Sequence, residues 1–311
     1  MLGADDSLAP LGGARILVIR PGALGDTLLA FPALASLRRA VGPTGAVELV
    51  GSLPAARLAH DDVHASAVHS FDRALFGAFF EPGSWDEPLT GFLSSFQYIV
   101  AWSNLPRLRE LARSAEIVEG SSRPPVGAHA SDHLSSTLAP LGIDPGCGAP
   151  ELVIRESSHL GAARFLNENG LGQSRFIAIH PSSGSLQKNW PWERFAGVAR
   201  RARQEGLEVL WIEGESDRDV VRTVARSVGG VVARHLELAV LAALLARATL
   251  YLGNDSGVSH LAAAAGAPTV ALFGTTDPAS WAPRGRTVEV VDCRLSSDEV
   301  WGKAVDVAWH Y

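Results

Sequence analysis

The sequence is short of cysteine, methionine and lysine, and these shortages narrow what the protein can be. Its 311 residues include two cysteines and one methionine, and Lys188 and Lys303 are the only lysines among 27 basic residues. Two isolated cysteines, Cys147 and Cys293, make neither a disulfide framework nor a zinc cluster, so we expect reduced thiols. Because lysine is so scarce, the location of each lysine is informative.

The chain also lacks long apolar runs and an excess of basic residues. No apolar stretch approaches the roughly 18 residues of a membrane span, and the acidic first residues lack a signal pattern. We therefore expect a cytoplasmic protein, and we leave peripheral contact with the inner face of the cytoplasmic membrane open. The net charge of −6 argues against a general nucleic-acid binder, which needs a basic surface. With 47% hydrophobic and 19% charged residues, the composition is typical of a globular protein.

Strand and helix patterns alternate in the first half. An apolar run at 15–20 suits a buried parallel strand. The loop at 21–26, a helix over 27–40 and a strand over 46–50 follow it. This order is the β-loop-α-β unit of a doubly wound sheet. A further strand is predicted over 96–101.

The second half repeats the alternation more regularly. We predict strands over 175–180, 207–212, 249–252 and 268–273, separated by helices over 192–205, 217–228, 238–248 and 256–265. Two successive series of this kind predict an α/β protein with two Rossmann-like domains. The expected bounds are a disordered leader at 1–14, domains at 15–155 and 156–290, and a C-terminal helix within 291–311, capped by Ser296 or Ser297.

The loop at 21–26, Pro-Gly-Ala-Leu-Gly-Asp, follows the first strand. Its two glycines allow a tight turn and a close approach to a ligand. Asp26 falls at a helix start, where it either caps the helix or performs chemistry. The spacing matches neither a dinucleotide fingerprint nor a phosphate-binding P-loop.

The loop from 180 to 192 carries Lys188 and a run of small residues. Ser182 and Ser183 lie where backbone N–H groups can face an anion. A compact ammonium binds phosphate as a point charge, whereas arginine favours a planar fork. A solvated loop lysine is the competing interpretation.

The loop from 253 to 260 also joins a buried strand to a helix. The N–H groups of Ser256 and Gly257 point out of the helix start, where the helix dipole favours phosphate. Asp255 either caps this helix, orients the loop or contacts a sugar hydroxyl. His260, about one turn further on, faces either the ligand or the core.

Three motifs together resemble glycosyltransferase family 9, the ADP-heptose:lipopolysaccharide heptosyltransferases. They are ILVIRPGALGDTLLAFPALASL at 16–37, HPSSGSLQKNWPWERF at 180–195 and LGNDSGVSHLAAAAGAPTVALFGTTDP at 252–278, with a looser match at 132–142. The resemblance covers most of residues 15–290. It implies a GT-B fold, in which two Rossmann-like domains hold the active site in the cleft between them. The first domain would bind the acceptor and the second the nucleotide sugar.

The resemblance also implies roles for individual residues. The aspartate of the GD motif, Asp26, would be the general base, and the lysine of the K-x-W-P motif, Lys188, would contact the donor diphosphate. The remaining donor-binding candidates are Gly25, Ser182, Ser183, Gly214, Glu215, Asp255, Ser256, Gly257, His260 and Thr275. No residue is a metal-ligand candidate, and we expect no required cofactor, while a stimulating effect of Mg²⁺ stays open.

The implied function is an inverting transfer of a sugar, with heptose from ADP-heptose favoured, onto a hydroxyl of a lipopolysaccharide-core or other cell-envelope glycan. The implied partners are a nucleotide-diphosphate sugar and a glycolipid or glycan acceptor, without nucleic acid. A basic acceptor groove is expected, with Arg57, Arg107 and Arg109 as candidates. The alternatives are a GT-B nucleotide-sugar epimerase or hydrolase, and a nucleotide-sugar-binding protein without catalysis.

Overall fold

A computed structural model describes residues 11–144, 148–214 and 218–309. The chain divides into two compact units after Val153, two residues before the boundary expected from the sequence. Most of the expected leader at 1–14 lies outside the described residues. Each unit is built on one parallel β-sheet.

The first unit has its strands in the order β3-β2-β1-β4-β5, all parallel. The strands are β1 Arg15–Arg20, β2 Ala46–Gly51, β3 Ala67–Ser70, β4 Tyr98–Ala101 and β5 Glu116–Glu119. Its helices are α1 Leu24–Leu28, α2 Phe31–Val41, α3 Leu53–Ala56, α4 Asp86–Leu93, α5 Leu108–Leu111 and α6 Ala130–Ser136. The apolar run of β1 is central because it pairs on both sides and all but its first residue is buried.

The helix expected over 27–40 is broken in two. In the structure α1 ends at Leu28, and α2 begins at Phe31 with Pro32 in its first turn. Proline has no N–H to donate, and its ring would clash with the carbonyl of Leu28 four residues earlier. The single-helix prediction was wrong because it followed the apolar spacing and ignored this proline.

The second unit has its strands in the order β11-β10-β9-β6-β7-β8, again all parallel. They are β6 Phe176–His180, β7 Glu208–Glu213, β8 Val231–Arg234, β9 Leu250–Asn254, β10 Thr269–Phe273 and β11 Val288–Asp292. The helices are α7 Glu156–Glu168, α8 Trp192–Gln204, α9 Arg218–Val228, α10 Leu238–Leu245, α11 Gly257–Ala264, α12 Pro278–Trp281 and α13 Ser297–Trp309.

Sequence analysis missed the two edge strands of this sheet, β8 and β11. Both are only partly buried along most of their length, unlike the fully buried β6, β9 and β10. An edge strand pairs on one side only, so its sequence need not form a continuous apolar run. The pattern that identified the central strands is therefore weak at the edges.

The last helix belongs to the second unit. Ser296 caps α13, since its Oγ accepts from the Glu299 N–H at 3.3 Å and its own N–H donates to the Glu299 carboxylate at 2.8 Å. This reciprocal pair is a capping box, and it confirms one of the two predicted caps. Val300, Ala304 and Val307 are buried in the core that contains β9 and β10, as their spacing of four and three residues requires.

The described helices are short. The longest, α7, α8 and α13, have 13 residues each, whereas a membrane-spanning helix needs about 20. None of them is long and apolar enough to cross a membrane.

A polar network links β1, β2 and β3. The Glu48 carboxylate, 11% exposed, lies 2.7 Å from His69 Nε2 and 2.7 Å from Arg15 Nη2. The hydrogen bond to His69 has the largest effect, and with that to Arg15 it holds the pKa of Glu48 below its ordinary value. Burial acts in the opposite direction but is outweighed. The ionised form of Glu48 therefore contributes to the stability of the fold.

We expect Glu48→Gln to lower the free energy of unfolding at neutral pH by about 1.5–3 kcal/mol, the usual range for hydrogen bonds to a charged group. Because the pKa is depressed in the folded state, this contribution is present above the unfolded value of about 4.3 and is lost as the pH falls through the folded value. Urea titrations at several pH values measure the difference. Glu81→Gln, at an exposed glutamate of the same unit, is the control. A pH-independent difference for Glu48→Gln would contradict the assignment.

Candidate active site

The order of strands reverses between β6 and β9 in the second unit. In a doubly wound sheet the loops diverge at such a point and leave a crevice at the carboxyl edge, where ligands bind. The loop after β6 and the end of β9 are joined there, because the backbone N–H of Trp190 donates to Asn254 Oδ1 at 2.9 Å. Two of the motifs found in the sequence thus meet at one place.

Lys188 and Asp255 form an ion pair at this point, with Lys188 Nζ 2.6 Å from Asp255 Oδ2. The Lys188 side chain is 33% exposed and that of Asp255 only 9%. An ammonium has three N–H donors, so one bond to Asp255 leaves two for a ligand. The carboxylate is therefore the partner that holds the lysine, which explains why an acidic residue lies in a loop suited to phosphate.

The N-terminus of α11 lies next in the chain after Asp255. Ser256 is the N-cap residue with extended backbone, and its side chain makes no capping bond to the helix. Its Oγ instead lies 3.3 Å from His180 Nδ1. The Ser259 N–H already donates to the Ser256 carbonyl at 3.1 Å. The N–H groups of Gly257 and Val258 precede the helical hydrogen-bond ladder, so the start of α11 can bind an anion.

Two buried polar atoms near the ends of β6 and β9 lack a hydrogen-bond partner within the described residues. They are Ser182 Oγ and Asn254 Nδ2. Leaving such an atom unsatisfied costs about 1–3 kcal/mol. Both belong to the segments that converge on the Lys188–Asp255 pair, which is the pattern expected of a ligand site.

The other predicted donor residues are distributed around this centre. His260 is buried one turn into α11. Ser183 Oγ lies within hydrogen-bond distance of two acceptors of its own loop, Ser185 O at 2.8 Å and Asn189 Oδ1 at 2.7 Å. Gly214 and Thr275 are exposed just after β7 and β10, the strands that flank β6 and β9. Glu215 lies outside the described residues.

Glu213 ends β7, and its carboxylate is already engaged. Its side chain is buried and lies 3.1 Å from Arg234 Nε and 4.0 Å from Arg218 Nε. These pairs tie the end of β7 to β8 and α9. Glu213 therefore serves the fold in this structure, and the donor-binding candidates Gly214 and Glu215 follow it directly in the chain.

Tyr251 stabilises the end of β9 through a chain of hydrogen bonds, and sequence analysis missed it. Its fully buried hydroxyl lies 3.1 Å from Ser259 Oγ, which in turn donates to the Asn254 carbonyl at 2.5 Å. Burial raises the pKa of Tyr251 above its ordinary value, so the phenol stays protonated. Gly253 makes room for it, because a Cβ there would lie 2.2 Å from the Tyr251 hydroxyl oxygen. A glycine inside a strand is the sequence signal for such a close approach.

In the first unit, Asp26 lies in α1, just after the carboxyl end of β1. Its Oδ2 accepts from the Ala23 N–H at 3.1 Å, and its Oδ1 accepts from Arg20 Nη2 at 2.8 Å. Asp26 thus satisfies the start of α1 from the third helical position while its side chain stays 35% exposed. The capping and chemical interpretations are compatible, because a carboxylate can accept about four hydrogen bonds. Gly25 precedes it within the same short helix.

Gly22 is needed for this arrangement. A Cβ at Gly22 would lie 2.5 Å from Asp26 Cβ, closer than side chains tolerate. The loop glycine that the sequence indicated for a tight turn therefore allows the backbone to fold against the Asp26 side chain.

The expected basic acceptor residues have different environments. Arg107 forms a two-bond ion pair with Asp86 and also pairs with Glu110, and Arg109 pairs with Glu119 at 2.5 Å. Arg57 is exposed just beyond α3. Of the three candidates, Arg107 and Arg109 are committed to carboxylates of their own unit.

Comparison with known proteins identifies the family. A family model for glycosyltransferase family 9 (heptosyltransferase) matches residues 134–300, more than half of the chain. The chain belongs to glycosyltransferase family 9. The expectation of this family from the sequence is thereby confirmed.

Relatives agree with this membership. Over 155 residues this family 9 chain is 30% identical to lipopolysaccharide heptosyltransferase 3 of Escherichia coli, a segment covering 48% of the chain and 45% of that protein. The chain thus matches less than half the length of this curated relative.

Solved structures show the fold. A family 9 glycosyltransferase from Veillonella parvula superposes with a TM-score of 0.82 at 21% identity, covering 97% of this chain and 99% of that one. The E. coli heptosyltransferase WaaC with ADP gives a TM-score of 0.72 at 19% identity, covering 94% and 100%. Together with the two parallel α/β units, these likenesses confirm the GT-B fold.

The packing around Tyr251 predicts that Gly253→Ala destabilises the protein. The new methyl group would collide with the buried Tyr251 hydroxyl, and overpacking of this kind costs about 1–3 kcal/mol. Gly302→Ala is the matched control, because nothing lies within 4 Å of a Cβ there and alanine favours the interior of α13 by about 1 kcal/mol. Chemical denaturation of both variants tests this expectation. Equal stability of Gly253→Ala and wild type would contradict the packing described.

Proposed function

We propose that the protein is an inverting glycosyltransferase. It transfers a sugar from a nucleoside diphosphate sugar, with heptose from ADP-heptose favoured, onto a hydroxyl of a lipopolysaccharide-core or other cell-envelope glycan. In a single displacement the acceptor oxygen attacks the anomeric carbon opposite the departing diphosphate, so the configuration inverts. The reaction would take place on the cytoplasmic side, with peripheral contact at the membrane where the acceptor is a glycolipid.

The Lys188–Asp255 pair is the observation that carries this proposal. As the bond to the sugar breaks, negative charge builds on the diphosphate. Lys188 has two N–H donors to spare, and the N–H groups at the start of α11 add a fixed positive field. Both groups are held before the ligand binds, so little reorganisation is needed when the charge develops.

Asp26 is proposed as the general base. An attacking hydroxyl must lose its proton, and a carboxylate within hydrogen-bond reach typically contributes about a hundredfold or more in rate. Asp26 meets the requirements of such a base, since it is partly exposed, fixed at both oxygens, and located at the carboxyl edge of a parallel sheet.

The relatives support the choice of substrates. The matched E. coli relative is a lipopolysaccharide heptosyltransferase, and the WaaC structure contains ADP. These names favour ADP-heptose and a lipopolysaccharide-type acceptor for the present chain. Arg57, exposed after α3, is the remaining expected arginine available for an anionic acceptor.

The proposal assigns charge stabilisation to Lys188 and α11, with no required metal. Within the described ranges there is no group of three His, Cys, Asp or Glu residues arranged to hold a metal ion. Addition of a chelator, followed by Mg²⁺, measures any contribution of a metal directly.

The alternatives differ in what they do to the donor. An epimerase or hydrolase would turn over the nucleotide sugar without an acceptor, and a binding protein would not turn it over at all. The proposed transferase releases nucleoside diphosphate in amounts that match the glycosylated acceptor. No feature of the described residues favours either alternative.

Nucleotide binding tests the donor side. Among ADP, UDP, GDP and CDP, we expect ADP to stabilise the protein most, by about 2.7 kcal/mol at a hundred times its Kd. Lys188→Ala should weaken ADP binding at least about tenfold, or 1.4 kcal/mol, because an ammonium facing the diphosphate is lost. Lys303→Ala is the control, since Lys303 lies in α13 and pairs with Glu289 at 3.3 Å.

A second variant separates the loss of the ammonium from repulsion by the remaining carboxylate. Lys188→Ala combined with Asp255→Asn removes both charges, and we expect ADP binding to stay weak. Wild-type affinity in Lys188→Ala would overturn the role of this lysine. Preference for another nucleotide would retain the site and change the donor.

Transfer kinetics test the base. Asp26→Asn should lower kcat at least about a hundredfold, while ADP affinity stays within about twofold, because Asp26 and Lys188 belong to different units. Asp62→Asn, at an exposed aspartate of the first unit, should behave like wild type. Transfer by Asp26→Asn at the wild-type rate would exclude Asp26 as the base.

A further inference from the structure

Arg20 is a buried cation at the carboxyl end of β1, and neither composition nor motif spacing assigned it a role. Its side chain is 5% exposed. Nη2 donates to Asp26 Oδ1 at 2.8 Å, and Nη1 donates to the Trp102 carbonyl at 3.4 Å. Arg20 therefore connects β1, the residue after β4, and Asp26, at the point where the strand order of the first sheet reverses.

The position is costly for an arginine. Burial lowers the pKa of Arg20 from its ordinary value, and Asp26 opposes this shift. Its Nε is buried with no hydrogen-bond partner in the described part of the chain. Buried ion pairs give little net stability compared with apolar side chains of similar size. Stability of the fold alone thus does not account for a guanidinium here.

Two contacts fix the Asp26 carboxylate. Arg20 holds Oδ1, and the Ala23 N–H holds Oδ2 at 3.1 Å. Each carboxylate oxygen has two lone-pair sites, so each retains one for a substrate hydroxyl.

We propose that Arg20 is a positioning residue, which holds the Asp26 carboxylate in a single orientation to receive the proton of the acceptor hydroxyl. This inference rests on the proposed function for its catalytic consequence. The effect of Arg20 on the Asp26 carboxylate can be measured without any substrate.

The experiment compares Arg20→Met and Arg20→Gln with a matched control, Arg15→Met. Methionine removes the charge, and glutamine keeps a polar group of similar reach. Arg15 lies at the opposite end of the same strand and pairs with Glu48 at 2.7 Å, but it does not contact Asp26. Since Asp26 is partly exposed, removal of Arg20 does not leave a fully buried unpaired carboxylate.

The first readout is the NMR signal of the Asp26 carboxyl carbon at neutral pH, assigned by its loss in Asp26→Asn. We expect this signal to move in both Arg20 variants, because the donor that lies 2.8 Å from Oδ1 has been removed. Arg15→Met should leave it unchanged. An unchanged signal in a folded Arg20 variant overturns the inference.

The second readout is transfer kinetics as a function of pH. For Arg20→Met we expect kcat to fall about tenfold or more, with the donor KM within about twofold and the acid limb of the profile moved to higher pH. Lower activity with an unmoved acid limb would show a purely structural role and overturn the inference. If wild type transfers no sugar, the proposed function fails, while the NMR comparison still decides whether Arg20 holds the Asp26 carboxylate.

Discussion

The geometry of the parallel sheet determines where chemistry can occur in this protein. All strands of a parallel sheet end at the same edge, and the loops separate where the strand order reverses. In the first unit this happens between β1 and β4, and in the second between β6 and β9. The motif after β1 and the motifs after β6 and β9 lie at these points.

Both units present a charged side chain in the same way. Asp26 is 35% exposed and is held by Arg20, whose side chain is 5% exposed; Lys188 is 33% exposed and is held by Asp255, at 9%. In each pair the less exposed partner compensates the charge and fixes the geometry. The more exposed partner keeps hydrogen-bonding capacity for a ligand, which is the preorganisation that electrostatic catalysis requires.

Glycines and buried hydroxyls complete the supporting structure. Gly22 lets the loop after β1 fold against Asp26, and Gly253 makes room for the Tyr251 hydroxyl under the start of α11. The Tyr251–Ser259–Asn254 chain of hydrogen bonds then fixes the end of β9. These residues touch no ligand in the proposal, yet they determine where the ligand-facing groups lie.

The sequence by itself determined the central strands, the fold class, the family and the loops that carry polar groups, because buried parallel strands have continuous apolar runs and the motifs are local in the chain. The edge strands β8 and β11 and the break at Pro32 were missed, because partial burial weakens the apolar pattern and the helical spacing continues through the proline. Only the tertiary structure decided that Asp255 holds Lys188, 67 residues away, and that Arg20 holds Asp26. Both pairings depend on how strands and loops are arranged in space, and residue spacing along the chain does not encode that arrangement.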